Sequence, residues 1–193
     1  MPAPTRADLL AAAHKTVPDV IAPNLQILFC GINPGLYSAY SGHHFARPGN
    51  RFWPALHLGG FTPRLFTPAE EQELLPLRYG ITNLVERASA TADELTKDEL
   101  AAGGMRLAAK VEQYAPRVLA VLGVGAYRSA FGRPRAAMGL QPERIGQAHL
   151  WILPNPSGLN AHYTLEALGA VFGELRRAAQ GLTGTSPQGQ GEG

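Results

Sequence analysis

The apolar run LQILFC at 25–30 ends abruptly in the turn GINPG at 31–35, and no other feature constrains the fold of this chain as tightly. A short, nearly continuous apolar run stopped by a Gly-bounded turn predicts a buried strand. The turn then presents backbone amides and one amide side chain, Asn33, at the carboxyl edge of a sheet. Ligands of open α/β sheets bind at that edge. The next 32 residues, through Thr67, contain no Asp or Glu, yet they carry Arg47, Arg51, Arg64 and three histidines. A carboxylate-free, arginine-bearing surface beside such an edge suits a polyanion.

Further strands alternate with helices. Helical spacing marks 6–17, strand one covers 25–31, and residues 35–51, rich in Gly, Ser and His, read as a long functional loop. A short helix is predicted over 52–59, and Thr67-Pro68 opens another that runs to Arg78. Tyr79–Val85 reads as strand two. Thr96 and Glu99 have capping-box spacing at the head of a helix to Tyr114. Val118–Leu122 is strand three, a helix follows to Phe131, 149–153 is strand four, and Tyr163–Ala179 is a final amphipathic helix. This alternation predicts one α/β domain over 1–180, a three-layer αβα sandwich around a central, mostly parallel four-stranded sheet. The tail 181–193 has five glycines and no large apolar residue but Leu182, so it is expected to be disordered.

A length of 193 residues supports one sizeable core. Net charge is only +2, so any nucleic-acid binding depends on where charges sit. Residues 86–99 hold five acids against Arg87 and Lys97, while 117–150 hold five arginines against Glu143 alone. One cysteine, Cys30, lies inside strand one; alone it makes no intramolecular disulfide, iron–sulfur cluster or zinc knuckle, and a reducing cytoplasm fits. The histidines show no metal-ligand spacing. The N-terminus does not read as a signal peptide, and no apolar stretch reaches the roughly 18 residues of a membrane span.

The Gly-rich turns do not make a nucleotide site. GINPG lacks the spacing and lysine of a P-loop. GVGAYR at 123–128 has Arg128 where a dinucleotide fingerprint needs its third glycine. The loop LPNPSGLNAH at 153–162 is different: two prolines stiffen the backbone around Asn155, and Leu159 follows a tight turn. A leucine there either folds back on the core or stands out as a wedge able to enter a duplex.

Four motifs occur in order: GINPG with Phe45, GNRFW at 49–53, GITNLVER at 80–87 and NPSGL at 155–159. Together they resemble the mismatch-specific uracil-DNA glycosylases and their thymine-DNA glycosylase relatives, over roughly residues 22–178. SGHHF at 41–45 is closer to the thymine-DNA glycosylase branch, and NPSGL to the bacterial branch. The main uracil-DNA glycosylase family has an Asp and a Tyr in its first motif and a His in its last; this chain has Asn33 and Asn155.

The resemblance implies a cofactor-free, metal-free enzyme. It would flip uracil, best opposite guanine, out of double-stranded DNA and hydrolyse its N-glycosidic bond, in base excision repair and as a monomer. Thymine and other modified pyrimidines are further candidates for excision. Asn33 would orient the attacking water, because an amide is too weak a base to do more. Phe45 would stack on the flipped pyrimidine, with core packing as its competing role. Ile32 and Gly35 would line the pocket, Asn155 would contact the substrate, and Ser38 and His44 would bear on tolerance of a thymine methyl. Ser157, Gly158 and Leu159 would form the wedge loop. Arg47, Arg51 and Arg64 are candidates for phosphates, with Arg51 equally able to brace its own loop. Bacterial members carry an arginine two positions after the wedge leucine; here Ala161 stands there, followed by His162. Asp93 either assists as a carboxylate near the sugar or merely begins a helical turn. No motif contains Lys15, Lys97 or Lys110, so no Schiff-base route is expected. The rival expectations are a non-catalytic binder of damaged or single-stranded DNA and a nucleotide-binding α/β protein.

Overall fold

The computed structural model describes residues 3–182. Its sheet has five strands in the order β2-β1-β3-β5-β4: β1 (Ile27–Gly31), β2 (Tyr79–Asn83), β3 (Val118–Leu122), β4 (Gly139–Ile145) and β5 (Ala148–Leu153). The first, second, third and fifth are parallel; β4 pairs antiparallel with β5. The helices are α1 (Arg6–Ala11), α2 (Leu36–Ser41), α3 (Phe52–Leu58), α4 (Lys97–Tyr114), α5 (Val124–Phe131) and α6 (Leu165–Gly181).

The αβα sandwich follows from side chains that alternate across the strands. Ile27 and Phe29 of β1, with Val118, Ala120 and Leu122 of β3, pack under α3 and α6, where Phe52, Leu56, Leu168 and Phe172 meet them. Leu28 and Cys30, with Leu119 and Val121, face the other way onto Leu107, Val111 and Tyr127 of α4 and α5. Every residue of β1 and β3 is therefore buried, which is why both strands are apolar throughout.

The fifth strand corrects the four predicted from sequence. The GLQPERI segment of β4 is half exposed, contains Pro142 and is broken by a register shift between Leu140 and Arg144. Proline is tolerated because this is an edge strand. Other boundaries differ too, and β2 ends at Asn83 where the sequence reading ran to Val85. The loop over 35–51 contains α2; the segment after Thr67 is a 3-10 turn over Pro68–Leu74 and not a helix to Arg78; and α1 stops at Ala11. The Thr96–Glu99 capping box forms as expected. Gly181, placed in the tail by sequence, still belongs to α6. Residues 183–193 of the expected tail lie outside the described residues. Among the described residues no helix is long and apolar enough to cross a membrane.

The connections from β1 and β3, neighbours at the centre, run to opposite sides of the sheet. Their carboxyl ends thus form a topological switch point, the crevice where such sheets bind ligands.

Candidate active site

A cleft of about 450 Å³ opens at this switch point. Its walls come from the turn after β1, the end of β2, the Ser89–Asp93 segment, Leu122 of β3 and the loop after β5.

Asn33 stands in the turn after β1. The ladder between β1 and β2 continues past the strand ends, with Leu84 N–H to Gly31 O and Val85 N–H to Ile32 O, both 2.9 Å, and Ser89 N–H to Pro34 O at 3.1 Å. These bonds hold the segment 84–89 beside the turn. The Asn33 Nδ2 group donates to Arg87 O at 2.9 Å and to Ser89 Oγ at 2.7 Å. Ser89 is buried, and its hydroxyl hydrogen goes to Thr91 O at 2.7 Å, so its lone pairs accept from Asn33. Both N–H groups are consumed by oxygen acceptors, which sets the orientation of the amide. Oδ1 has no partner among the described residues and is free to accept from a water.

Phe45 builds the floor. Its φ of 52° is left-handed, unusual for an aromatic residue. Its ring lies on Phe52, with centroids 4.0 Å apart and planes 25° apart, and its N–H has no partner among the described residues. The strained segment is tied down on every side. Glu71, a buried carboxylate of the 3-10 turn, accepts from His44 N–H at 2.8 Å and lies 3.0 Å from His43 Nδ1. Trp53 Nε1 donates to His44 O at 3.1 Å, and Ala46 N–H donates to Ser38 Oγ at 3.2 Å.

His44 is buried, and burial pushes its pKa below the ordinary 6.5. Nε2 lies 2.9 Å from Pro18 O, so it carries the hydrogen; Nδ1 then accepts from Asn83 Nδ2 at 3.3 Å. This chain fixes the Asn83 amide, and its Oδ1 comes over Gly31. A Cβ on Gly31 would lie 2.6 Å from Asn83 Oδ1 and 3.1 Å from Phe45 Cζ, so only glycine leaves room for the floor and the amide together.

The loop after β5 closes the cleft. Asn155 Oδ1 accepts from Ser157 N–H at 2.9 Å, and Leu159 N–H lies 3.2 Å from Ser157 Oγ. Leu159 is 71% exposed at the rim and does not fold back on the core. Arg47 also lines the cleft, exposed and without an ion pair among the described residues.

The model of the Uracil DNA glycosylase superfamily matches residues 18–176. The chain belongs to that superfamily. The fold agrees with the solution NMR structure of a Methanosarcina acetivorans protein provisionally described as a uracil DNA glycosylase. The TM-score is 0.55 at 19% identity, over 84% of this chain and 98% of that one. Membership assigns the protein the role of a DNA glycosylase, a hydrolase of N-glycosyl bonds acting on DNA.

In this DNA glycosylase the cleft gathers most of the residues singled out from sequence. Asn33, Ile32, Gly35, Ser38, His44 and Phe45 line one side of it. Asn155, Ser157, Leu159, Arg47 and Asp93 line the rest. His44 has both ring nitrogens engaged within the protein, by Pro18 O and Asn83 Nδ2. Asp93 is exposed on the lip; the cap of its turn is made by Thr91 and Glu94, which leaves the Asp93 carboxylate unused there. Gly158 and Arg51 stand outside the lining. The Arg51 guanidinium donates to Ser157 O, Asn160 O and Tyr163 O, which makes it a brace and removes it from the phosphate candidates. Arg64 is likewise paired with Glu70 at 2.9 Å and Glu73 at 3.0 Å. Glu86 does not pair with Arg87, which instead holds the Glu99 carboxyl down to about 2.

Two residues escaped the sequence reasoning, Asn83 and Ser89. Asn83 lies in GITNLVER, inside the strand read from sequence as Tyr79–Val85; the structure ends β2 at Asn83 and so places it on the same sheet edge as Asn33. Ser89 gave no signal, because its role depends on a partner 56 positions away.

Proposed function

We propose that the protein is a monofunctional glycosylase of the mismatch-specific, thymine-DNA glycosylase-like branch. It excises uracil, best opposite guanine, from double-stranded DNA, as a monomer in base excision repair. The observation that carries this reading is the oriented Asn33 amide at the end of β1, facing the cleft beside the Phe45 platform. Breaking the base–sugar bond makes an oxocarbenium-like sugar and an anionic base. Asn33 Oδ1 holds the water for attack on C1′; without a strong base the bond must largely break before the water adds. The flipped pyrimidine stacks on Phe45. Asn83 Oδ1 accepts from the N3–H of uracil, a hydrogen that cytosine lacks, and the second Nδ2 hydrogen is available to the O4 carbonyl. Asp93, on the lip, stabilises the positive sugar. Arg47 takes a phosphate, Asn155 contacts the extruded nucleotide, and Leu159 fills the space it leaves. The absence of lysine from the cleft lining, with Lys110 engaged by Asp19 and Thr82, supports hydrolysis without lyase chemistry.

Single-turnover cleavage of G·U, A·U, G·T and single-stranded U DNAs, developed with alkali and compared with Asn33→Ala, tests this reading. Cleavage of G·U that vanishes in the variant is expected. Equal cleavage of A·U would mean that Ala161 leaves the opposite base unread. Binding without cleavage would make the protein a non-catalytic binder of damaged DNA.

A further inference from the structure

We propose that Arg51 is a positioning residue that locks the Leu159 wedge to the base platform, so that opening the duplex and capturing the base are done by one rigid unit. The proposal rests on the glycosylase reading above.

The wedge loop is well tied to itself. Besides the Asn155 and Ser157 bonds, Asn160 Nδ2 donates to Asn155 O at 3.0 Å and His162 N–H to Asn160 Oδ1 at 3.1 Å. All of these are local and none anchors the loop to the body of the protein. Across residues 155–163, every hydrogen bond to another part of the described chain comes from Arg51. Its N–H donates to Pro156 O at 3.0 Å. Its Nη2 donates to Ser157 O at 2.6 Å and Asn160 O at 2.8 Å, and its Nη1 to Tyr163 O. Three carbonyls before and after the leucine are gathered on one planar cation. Nε is buried and has no partner among the described residues, so this end of the half-buried guanidinium sits inside the base of the loop. Gly158 rests on the same segment: a Cβ there would lie 2.8 Å from Gly49 O.

The next residue completes the link. Phe52 is fully buried, and its ring supports Phe45 from below. Arg51 and Phe52 are adjacent at the head of α3, so the wedge and the platform hang from one dipeptide. A wedge works only if it resists the stacking that draws the nucleotide back into the helix. Leu159 is exposed and transmits that load through its loop; if the loop were free, the leucine would yield. The brace therefore matters for paired targets and much less for targets that are already open.

The test uses Arg51→Lys and Arg51→Gln in the full chain, with melting curves to establish folding. A lysine keeps the charge but is a point donor that cannot span three carbonyls. Single-turnover rates are measured on uracil opposite guanine in a duplex and on uracil within an unpaired bubble of the same flanking sequence. A 2-aminopurine beside a non-cleavable target reports extrusion. The duplex-to-bubble rate ratio is expected to fall about tenfold, together with the 2-aminopurine signal. If the substitutions at Arg51 prevent folding, Gly158→Ala, which pushes the loop off Gly49, is expected to give the same duplex-selective loss. Equal loss on both substrates, or no loss on either, overturns the brace as a positioning device while leaving the glycosylase reading intact. Wild-type protein that cleaves neither substrate overturns the glycosylase reading, and the proposal with it.

Discussion

Replacing Ser89 by alanine isolates the orientation of Asn33 from its presence. In the wild-type protein two acceptors hold the Asn33 Nδ2 group, Arg87 O at 2.9 Å and Ser89 Oγ at 2.7 Å. Ser89→Ala deletes the shorter of these bonds and leaves the other to Arg87 O; it also removes the hydroxyl's own bond to Thr91 O. One intramolecular hydrogen bond contributes about 1 kcal/mol net, and each 1.4 kcal/mol or so is tenfold in rate. The single-turnover rate on G·U DNA should therefore fall roughly three- to tenfold, with DNA affinity little changed. Asn33→Ala, which removes the water's acceptor, should lose about a hundredfold or more. If the Ser89 hydroxyl bears on the rate through Asn33 and not through its second bond, to Thr91 O at 2.7 Å, adding Ser89→Ala to Asn33→Ala should produce no further loss. Two results would refute the reasoning: full activity in Ser89→Ala, or independent, multiplying effects in the double variant.

Three further outcomes are expected. Gly31→Ala puts a Cβ 2.6 Å from Asn83 Oδ1; a displacement of that amide by an ångström or so should cost on the order of a hundredfold in single-turnover rate, and a wild-type rate would show that Asn83 is not a base contact. His44 has a pKa below the ordinary 6.5 because it is buried. The unfolded chain therefore binds the proton first, so stability is flat above the unfolded value and declines as pH falls below about 6.5. His149 is shifted in the same direction, so the share due to His44 is what His44→Gln removes from a series of melting curves; an unchanged slope in that variant would discard it. Asp93→Asn should keep DNA affinity and lose about tenfold or more in rate; an unchanged rate removes Asp93 from the chemistry.

Much of the fold was legible because burial on both faces demands uninterrupted apolar strands. Strands one and three announce themselves this way. The edge strand β4 did not, since half-exposed GLQPERI has neither an apolar run nor clean alternation and contains a proline. Helix α2 was hidden in a Gly-, Ser- and His-rich segment, where four of its six residues are Ser or Tyr and only Ser38 and Ala39 are buried. The Pro68–Leu74 segment kept the proline start of a helix but only 3-10 geometry.

The sequence by itself determined where the candidate site lies. An apolar strand that halts at a Gly-bounded turn puts Asn33 at the sheet edge whatever else the chain does. The motif order then brings Phe45, Asn155 and Leu159 to the same edge. Only the tertiary structure decided what each polar group is free to do. A guanidinium can serve a phosphate or a set of carbonyls, so nothing in the residue type told Arg47, left open at the cleft, from Arg51, consumed by carbonyls about 110 residues away. An amide donates and accepts equally well, so the direction of Asn33 was unknown until Arg87 O and Ser89 Oγ, 54 and 56 positions on, claimed its hydrogens. Hydrogen bonds are short and directional, and their partners are chosen by folded proximity, which local sequence does not encode.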